Sequence, residues 1–189
     1  MQENVKDLLE ELKDLSQLMM DLAYSSVFFK SKEIANEVSA LYERLEELEE
    51  KLYLHLFAAS RGRAIKRLIS VIDLVESSKT IATAAKNLSQ LVLEGKQLHP
   101  VIKQALRDSD EGIAKAMITK KSKLCRKKIG ELRLRSETGG DIIAIRRKDK
   151  KWVFAPDKNT KLHEGDSLIC MGPTHSCKKL RKLASGEGK

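Results

Sequence analysis

From Val5 to Val92 the apolar residues recur every three or four positions, and a chain with that period buries them by winding into helices. Val5, Leu8, Leu9, Leu12, Leu15, Leu18 and Leu22 form one helical face that runs to about Lys30. Ser31 is placed to cap a second helix, in which Ile34, Val38, Leu41, Leu45, Leu48, Leu52 and Leu56 alternate steps of four and three, close to a heptad seam. Ser60 to Arg63, reading SRGR, predicts a turn. Ile65, Leu68, Ile69, Ile72, Val75, Ala82, Ala85, Leu88, Leu91 and Val92 predict a third helix, with Gly95 as its C-cap. Leu98 to Leu106 predicts a short fourth helix, with His99-Pro100 near its start. At 1.5 Å per residue the first two helices are each roughly 35–40 Å long, and long helices joined by short turns pack as an antiparallel bundle.

The pattern changes at Asp108 to Gly112, reading DSDEG. Residues 1–110 hold 15 Lys and Arg against 18 Asp and Glu, a balance of −3; residues 111–189 hold 21 against 9, a balance of +12. Two electrostatically different objects predict two domains, 1–110 and 111–189. In the second, Ile113 to Ile118 reads as a first strand, and the spacing of Ile129, Leu132 and Leu134 allows a short helix. Asp141 to Arg147 follows the Gly139-Gly140 turn signal and is rich in Ile, as a buried strand is. Trp152 to Ala155 stops at Pro156, and Ser167 to Gly172 is a further buried strand. A basic amphipathic helix runs from Pro173 to about Leu183. The expected fold class is α+β: an antiparallel helical bundle, then a small α+β domain. A domain this small is marginal alone and gains from packing on a copy of itself.

No apolar run reaches the ~20 residues needed to span a bilayer, and the amino terminus is charged and amphipathic from its start. The expected location is the cytoplasm. Cys125, Cys170 and Cys177 form no CxxC pair, so reduced thiols are expected rather than a disulfide or zinc. His55, His99, His163 and His175 are scattered, and no GxSxG, HExxH, P-loop or GxGxxG appears. We therefore expect no catalytic residues, no metal site and no NAD or ATP cofactor. Recognition is what remains. An Arg held at the end of a rigid strand suits phosphate or carboxylate through its planar fork; alternation sends Arg146 and Arg147 to opposite faces. Two solvent-facing charges are an equally good reading of the same pair.

The run IIAIRR, the spaced Pro156, Thr160, Leu162, Gly165, Asp166, Leu168 and Gly172, and Ser122, Leu124 and Ile129 to Leu132 together resemble the TrkA-C, or RCK-C, regulatory domain of potassium-transport proteins, over about residues 111–184. Cys125 stands where this family often has Gly. If a tight backbone turn is needed there, this chain must make it differently. In some relatives the domain dimerises and holds cyclic di-AMP or another small anion. That resemblance implies a homodimer with Ile142, Ile143, Ala144, Arg146 and Arg147 lining the ligand, and Pro156 and His163 as neighbours. It also implies a potassium channel or cation transporter as the membrane partner. Leu18 to Val27 and Val71 to Val92 resemble the PhoU family, over about residues 5–108, as one repeat rather than two. The PhoU metal motif is a pair of carboxylates four apart; here Asp73 and Glu76 are three apart, and Glu10-Asp14 lies in another helix, so solvated faces are favoured over metal.

The function expected is a non-enzymatic regulator of potassium or cation transport. Alternatives are a PhoU-type regulator of phosphate uptake or a metal binder, a nucleic-acid-binding protein using the basic runs TKKSKLCRKK and KKLRKL, and a purely structural helical dimer. Nucleic acid ranks low, because no helix-turn-helix or stacking-aromatic pattern accompanies the charge. Attraction to anionic headgroups at the inner face of a membrane accounts for the same basicity.

Overall fold

A computed structural model describes residues 4–59, 65–96, 99–108 and 111–187. It divides into two compact units, Met1–Gln97 and Leu98–Lys189.

The first unit is three helices, α1 (Val5–Phe29), α2 (Lys32–Ala59) and α3 (Ile65–Leu93). The Asn4 side chain accepts from the Asp7 N–H at 3.0 Å and so caps α1. Lys30, left-handed at φ 52°, ends it. The Ser31 hydroxyl then accepts from the Ile34 N–H at 3.4 Å, as the cap of α2. A two-residue connection leaves α1 and α2 antiparallel neighbours. The bundle core is Leu8, Leu12, Leu15, Met19 and Leu22 of α1 against Ile34, Val38, Leu45, Leu48, Leu52 and Leu56 of α2. Buried Ser16, Ser25 and Ser26 are satisfied by backbone carbonyls of their own helix.

In α3 the buried seam is Val75, Ser78, Ala82, Ala85, Ser89 and Val92, while Ile69 is 53% exposed and Ile72 37% exposed. The expectation that Ile69 and Ile72 join the core is corrected here. Small residues let α3 approach the other two helices closely, and two of them are serines that an apolar count omits. Buried Glu49 on α2 takes a 2.6 Å salt bridge from Lys79 on α3, and that hydrogen bond raises the Lys79 pKa despite partial desolvation. Gly95, at φ 67°, closes α3, with its N–H and that of Lys96 returning to Val92 and Leu91 at 3.1 Å. The turn expected at Ser60 to Arg63 lies outside the described residues.

The second unit runs α4 (Pro100–Asp108), β1 (Glu111–Met117), a 3-10 turn (Ile129–Leu132), α5 (Leu134–Thr138), β2 (Asp141–Arg146), β3 (Trp152–Phe154), β4 (Ser167–Pro173) and α6 (Thr174–Ser185). The strands form one antiparallel sheet in the order β1-β4-β2-β3. The last strand in sequence therefore lies between the first two. One sheet face, with Ala114, Ala116, Ile142, Ile145, Leu168 and Cys170, shares a core with Cys177, Leu180 and Ala184 of α6. A register shift between Ile142 and Ala144 makes Ile143 an extra residue in β2, so Ile142 and Ile145 both reach that core. On the opposite face Met117, Ser167, Arg146 and Trp152 stand in one row across β1, β4, β2 and β3. Lys115, Ile169, Ala144 and Phe154 form the next row.

Gly172, at φ 137°, could not be another residue: a Cβ there would lie 2.7 Å from the Gly139 carbonyl oxygen. The Ser122–Lys128 loop resolves the question raised by Cys125. Its left-handed residue is Arg126, at φ 68°, whose N–H donates to the Leu162 carbonyl at 2.8 Å.

Candidate ligand sites on the second unit

The seven residues picked out by sequence do not form one cluster. β2 separates them: Ile142 and Pro156 lie at one end, Arg146, Arg147 and His163 at the other. Five steps along a strand span about 16 Å.

At the first end, Ile129, Gly130, Arg133, Leu134, Arg135, Ser136, Gly140, Asp141, Ile142, Pro156 and Lys158 enclose a depression of about 440 Å³. Its wall is apolar through Ile129, Leu134, Ile142 and Pro156, and carries three cations against one carboxylate, Asp141. Arg135 lies 3.6 Å from Asp141 in a largely exposed pair. The Gly130 N–H donates to the Lys158 carbonyl at 2.8 Å, which fixes the 3-10 turn to the loop after β3. Arg133, in the lining, and Ala155, just before Pro156, are left-handed at φ 46° and 42°. Strained non-glycine backbone of this kind persists where surrounding structure imposes it, and it clusters at ligand clamps. Ile143 and Ala144 are buried in β2 and do not line this depression; the Ile143 carbonyl accepts from the Ala155 N–H at 3.0 Å.

At the second end, Lys115, Met117, Arg146, Arg147, Lys148, Lys150, Gly165 and Ser167 line a shallower depression of about 630 Å³. Arg147 is held from within. Its Nη1 donates to the Asp166 carboxylate at 2.5 Å and to the Lys161 carbonyl at 2.9 Å, and lies 3.2 Å from His163 Nδ1. Asp166 is 1% exposed, and its carboxylate also accepts from the His163 N–H at 2.8 Å. His163 itself is exposed. The Asp166 carbonyl accepts from Ile118 at 2.8 Å, and Gly165 donates to the Ile118 carbonyl at 2.9 Å. Arg147 thus ties the end of β2 to the turn that enters β4.

Arg133, Arg135 and Lys158 line the first depression but are not among the residues expected from the sequence. The first two follow the IGEL run closely, whereas Lys158 joins them only through the fold. Cys170 and Cys177 are buried free thiols with sulfurs 3.8 Å apart; hydrogen bonding to Cys177 and burial push the Cys170 thiol pKa up. Glu76 accepts from the Tyr53 hydroxyl, while Glu10 and Asp14 sit in exposed pairs with Lys6 and Lys13. Among the described residues no group of three or more His, Cys, Asp or Glu side chains is placed to hold a metal, and no helix is long and apolar enough to cross a membrane.

Residues 9–92 match the family model of the PhoU domain, and residues 113–185 match that of the TrkA-C domain. No curated protein matches the chain. Similar solved structures include the RCK C domain of the potassium transport protein KtrA in complex with cyclic diadenosine monophosphate, at 28% identity over 43% of this chain and 93% of that one, with a TM-score of 0.35. They also include the RCK_C domain dimer of S. agalactiae BusR in complex with c-di-AMP, at 22% identity over 40% and 97%, TM-score 0.35. A third is S. agalactiae BusR in complex with its busAB-promotor DNA, at 14% identity over 95% and 98%, TM-score 0.37.

Proposed function

We propose that this chain, a PhoU domain followed by a TrkA-C domain, is a non-enzymatic regulator of potassium or cation transport that senses a small anionic ligand through its C-terminal domain. The observation that carries the reading is the first depression. An apolar wall of Ile129, Leu134, Ile142 and Pro156 carries Arg133, Arg135 and Lys158 at its rim. Such a site suits a ligand with a flat apolar part and a negative charge, as a cyclic dinucleotide has. We place the ligand there and assign Arg147 to holding the sheet together.

The domain then acts as a pair. Small size favours association with a second copy, and the sheet face opposite α6 carries Met117, 63% exposed, on its β1 edge, half-buried Met171 on β4, and half-buried Trp152 and Phe154 on its β3 edge. A ligand that prefers one arrangement of the two copies over another shifts the equilibrium between them. A membrane transporter contacted by the protein reads that shift, from the cytoplasmic side.

Calorimetry of the full chain with cyclic di-AMP tests the site. Binding is expected, and Arg133→Ala with Lys158→Ala should weaken it at least tenfold, since each loses a charge-assisted hydrogen bond of about 1.5–3 kcal/mol. Binding that the double variant leaves unchanged would place the ligand elsewhere. Absence of binding to any cyclic dinucleotide would remove this ligand class.

A further inference from the structure

The second depression has a composition that the first does not. Five cations line it, Lys115, Arg146, Arg147, Lys148 and Lys150, and among the described residues no carboxylate does. Asp166 neutralises Arg147 from beneath. The other four come from three separate places in the chain: Lys115 from β1, Arg146 from the end of β2, and Lys148 and Lys150 from the β2–β3 hairpin. Like charges do not gather from separate elements without cost, and a concave wall concentrates their field.

Each of these cations is positioned. Arg146 stands in the row between Ser167 and Trp152, with its guanidinium carbon 5.9 Å from the Trp152 ring centre. The Lys148 stem lies against Gly165, where an added Cβ would come within 3.2 Å of Lys148 Cδ. The hairpin is closed by Arg147 N–H to Lys151 carbonyl at 2.7 Å and Lys150 N–H to Arg147 carbonyl at 2.9 Å. Lys150 occupies its left-handed position, at φ 70°. Glycine or asparagine is the favoured residue there, so a lysine is held at a conformational cost. Finally, the Ser167 hydroxyl, in the same row, is buried and has no hydrogen-bond partner. A buried hydroxyl left unsatisfied is itself an invitation to a ligand acceptor.

We propose that this depression is a second binding site, for a phosphate-bearing anion held by Lys115, Arg146, Lys148 and Lys150, with the Ser167 hydroxyl as directional donor. The site is separate from the first depression and does not rest on the cyclic-dinucleotide reading, although its Met117 also belongs to the sheet face proposed for pairing. A phosphate group suits it better than a carboxylate because several cations converge on one space, where a tetrahedral anion offers acceptors to all of them. The phosphate can belong to a free small molecule or to a lipid headgroup. Both carry the same chemistry, and the test separates them.

The full chain is titrated with inorganic pyrophosphate by calorimetry at low ionic strength, and in parallel with vesicles containing phosphatidylglycerol. Lys115→Gln with Lys148→Gln should weaken binding at least tenfold, while Lys178→Gln with Lys182→Gln, which removes the same charge from exposed positions on α6, should not. Ser167→Ala should weaken it about threefold. Lys150→Asn is the sharpest variant: it should weaken binding and raise the thermal midpoint by a few degrees, because it relieves the left-handed lysine. Binding to pyrophosphate identifies a soluble ligand, and binding to vesicles alone identifies a headgroup. No binding in either arm overturns the site. So does equal loss in the α6 control, which would make the attraction one of net charge. Binding confined to duplex DNA and lost in Lys115→Gln with Lys148→Gln would overturn it too, as a nucleic-acid surface.

Discussion

Arg147 shows how much one residue's role depends on what the fold brings to it. Alternation along a strand separates Arg146 from Arg147, and that much is local. The carboxylate that captures Arg147 lies 19 residues away, in a turn whose HEGD sequence announces only a change of direction. A buried Asp166 without its cation would keep the cost of desolvation and lose the attraction that offsets it. Arg147→Ala should therefore destabilise the C-terminal domain by about 3 kcal/mol, the lower end of the range for breaking a buried pair, since the Arg147 side chain retains some exposure. Urea denaturation of the full chain measures it. A loss below about 0.5 kcal/mol would mean that the pair is solvated like an ordinary surface bridge.

The helices and strands were legible as elements because their apolar periods are strong. α1 and α2 bury nearly the residues that periodicity selects, and each strand of the second unit was marked by Gly, Pro or charge at its ends. Three features escaped. The strand order requires β4 to insert between β1 and β2, a long-range pairing that no local pattern encodes. The extra residue in β2 changes which isoleucines face α6. The seam of α3 uses Ser78 and Ser89 as spacers and turns larger residues outward. That last feature carries a prediction. Ala85→Leu would force a larger side chain into the seam and should cost about 1–3 kcal/mol. Ile72→Gln, at a position 37% exposed, should change stability by less than about 0.5 kcal/mol. Thermal unfolding of the two variants in parallel distinguishes the seams. A larger loss for Ile72→Gln would restore the apolar face as the packed one.

For the whole molecule the question is how the two domains make one device, and association decides it. Charge divides the chain sharply, −3 over residues 1–110 against +12 over residues 111–189, so the C-terminal domains of two copies repel unless an apolar contact or a bound anion offsets the charge. Two surfaces compete to supply that contact. The helical unit exposes Phe57 at 71% and Ile69, and the sheet exposes Met117. The proposed sensor needs the second, because ligand-linked pairing has to involve the domain that holds the ligand. Light scattering on the full chain should give twice the protomer mass of 21.3 kDa. Met117→Lys should shift it toward the protomer, and added anion should oppose that shift by screening the opposed cations. If Phe57→Glu dissociates the protein and Met117→Lys does not, the copies join through their helices. Pairing would then be constitutive, and the ligand would act within a dimer it does not help to assemble.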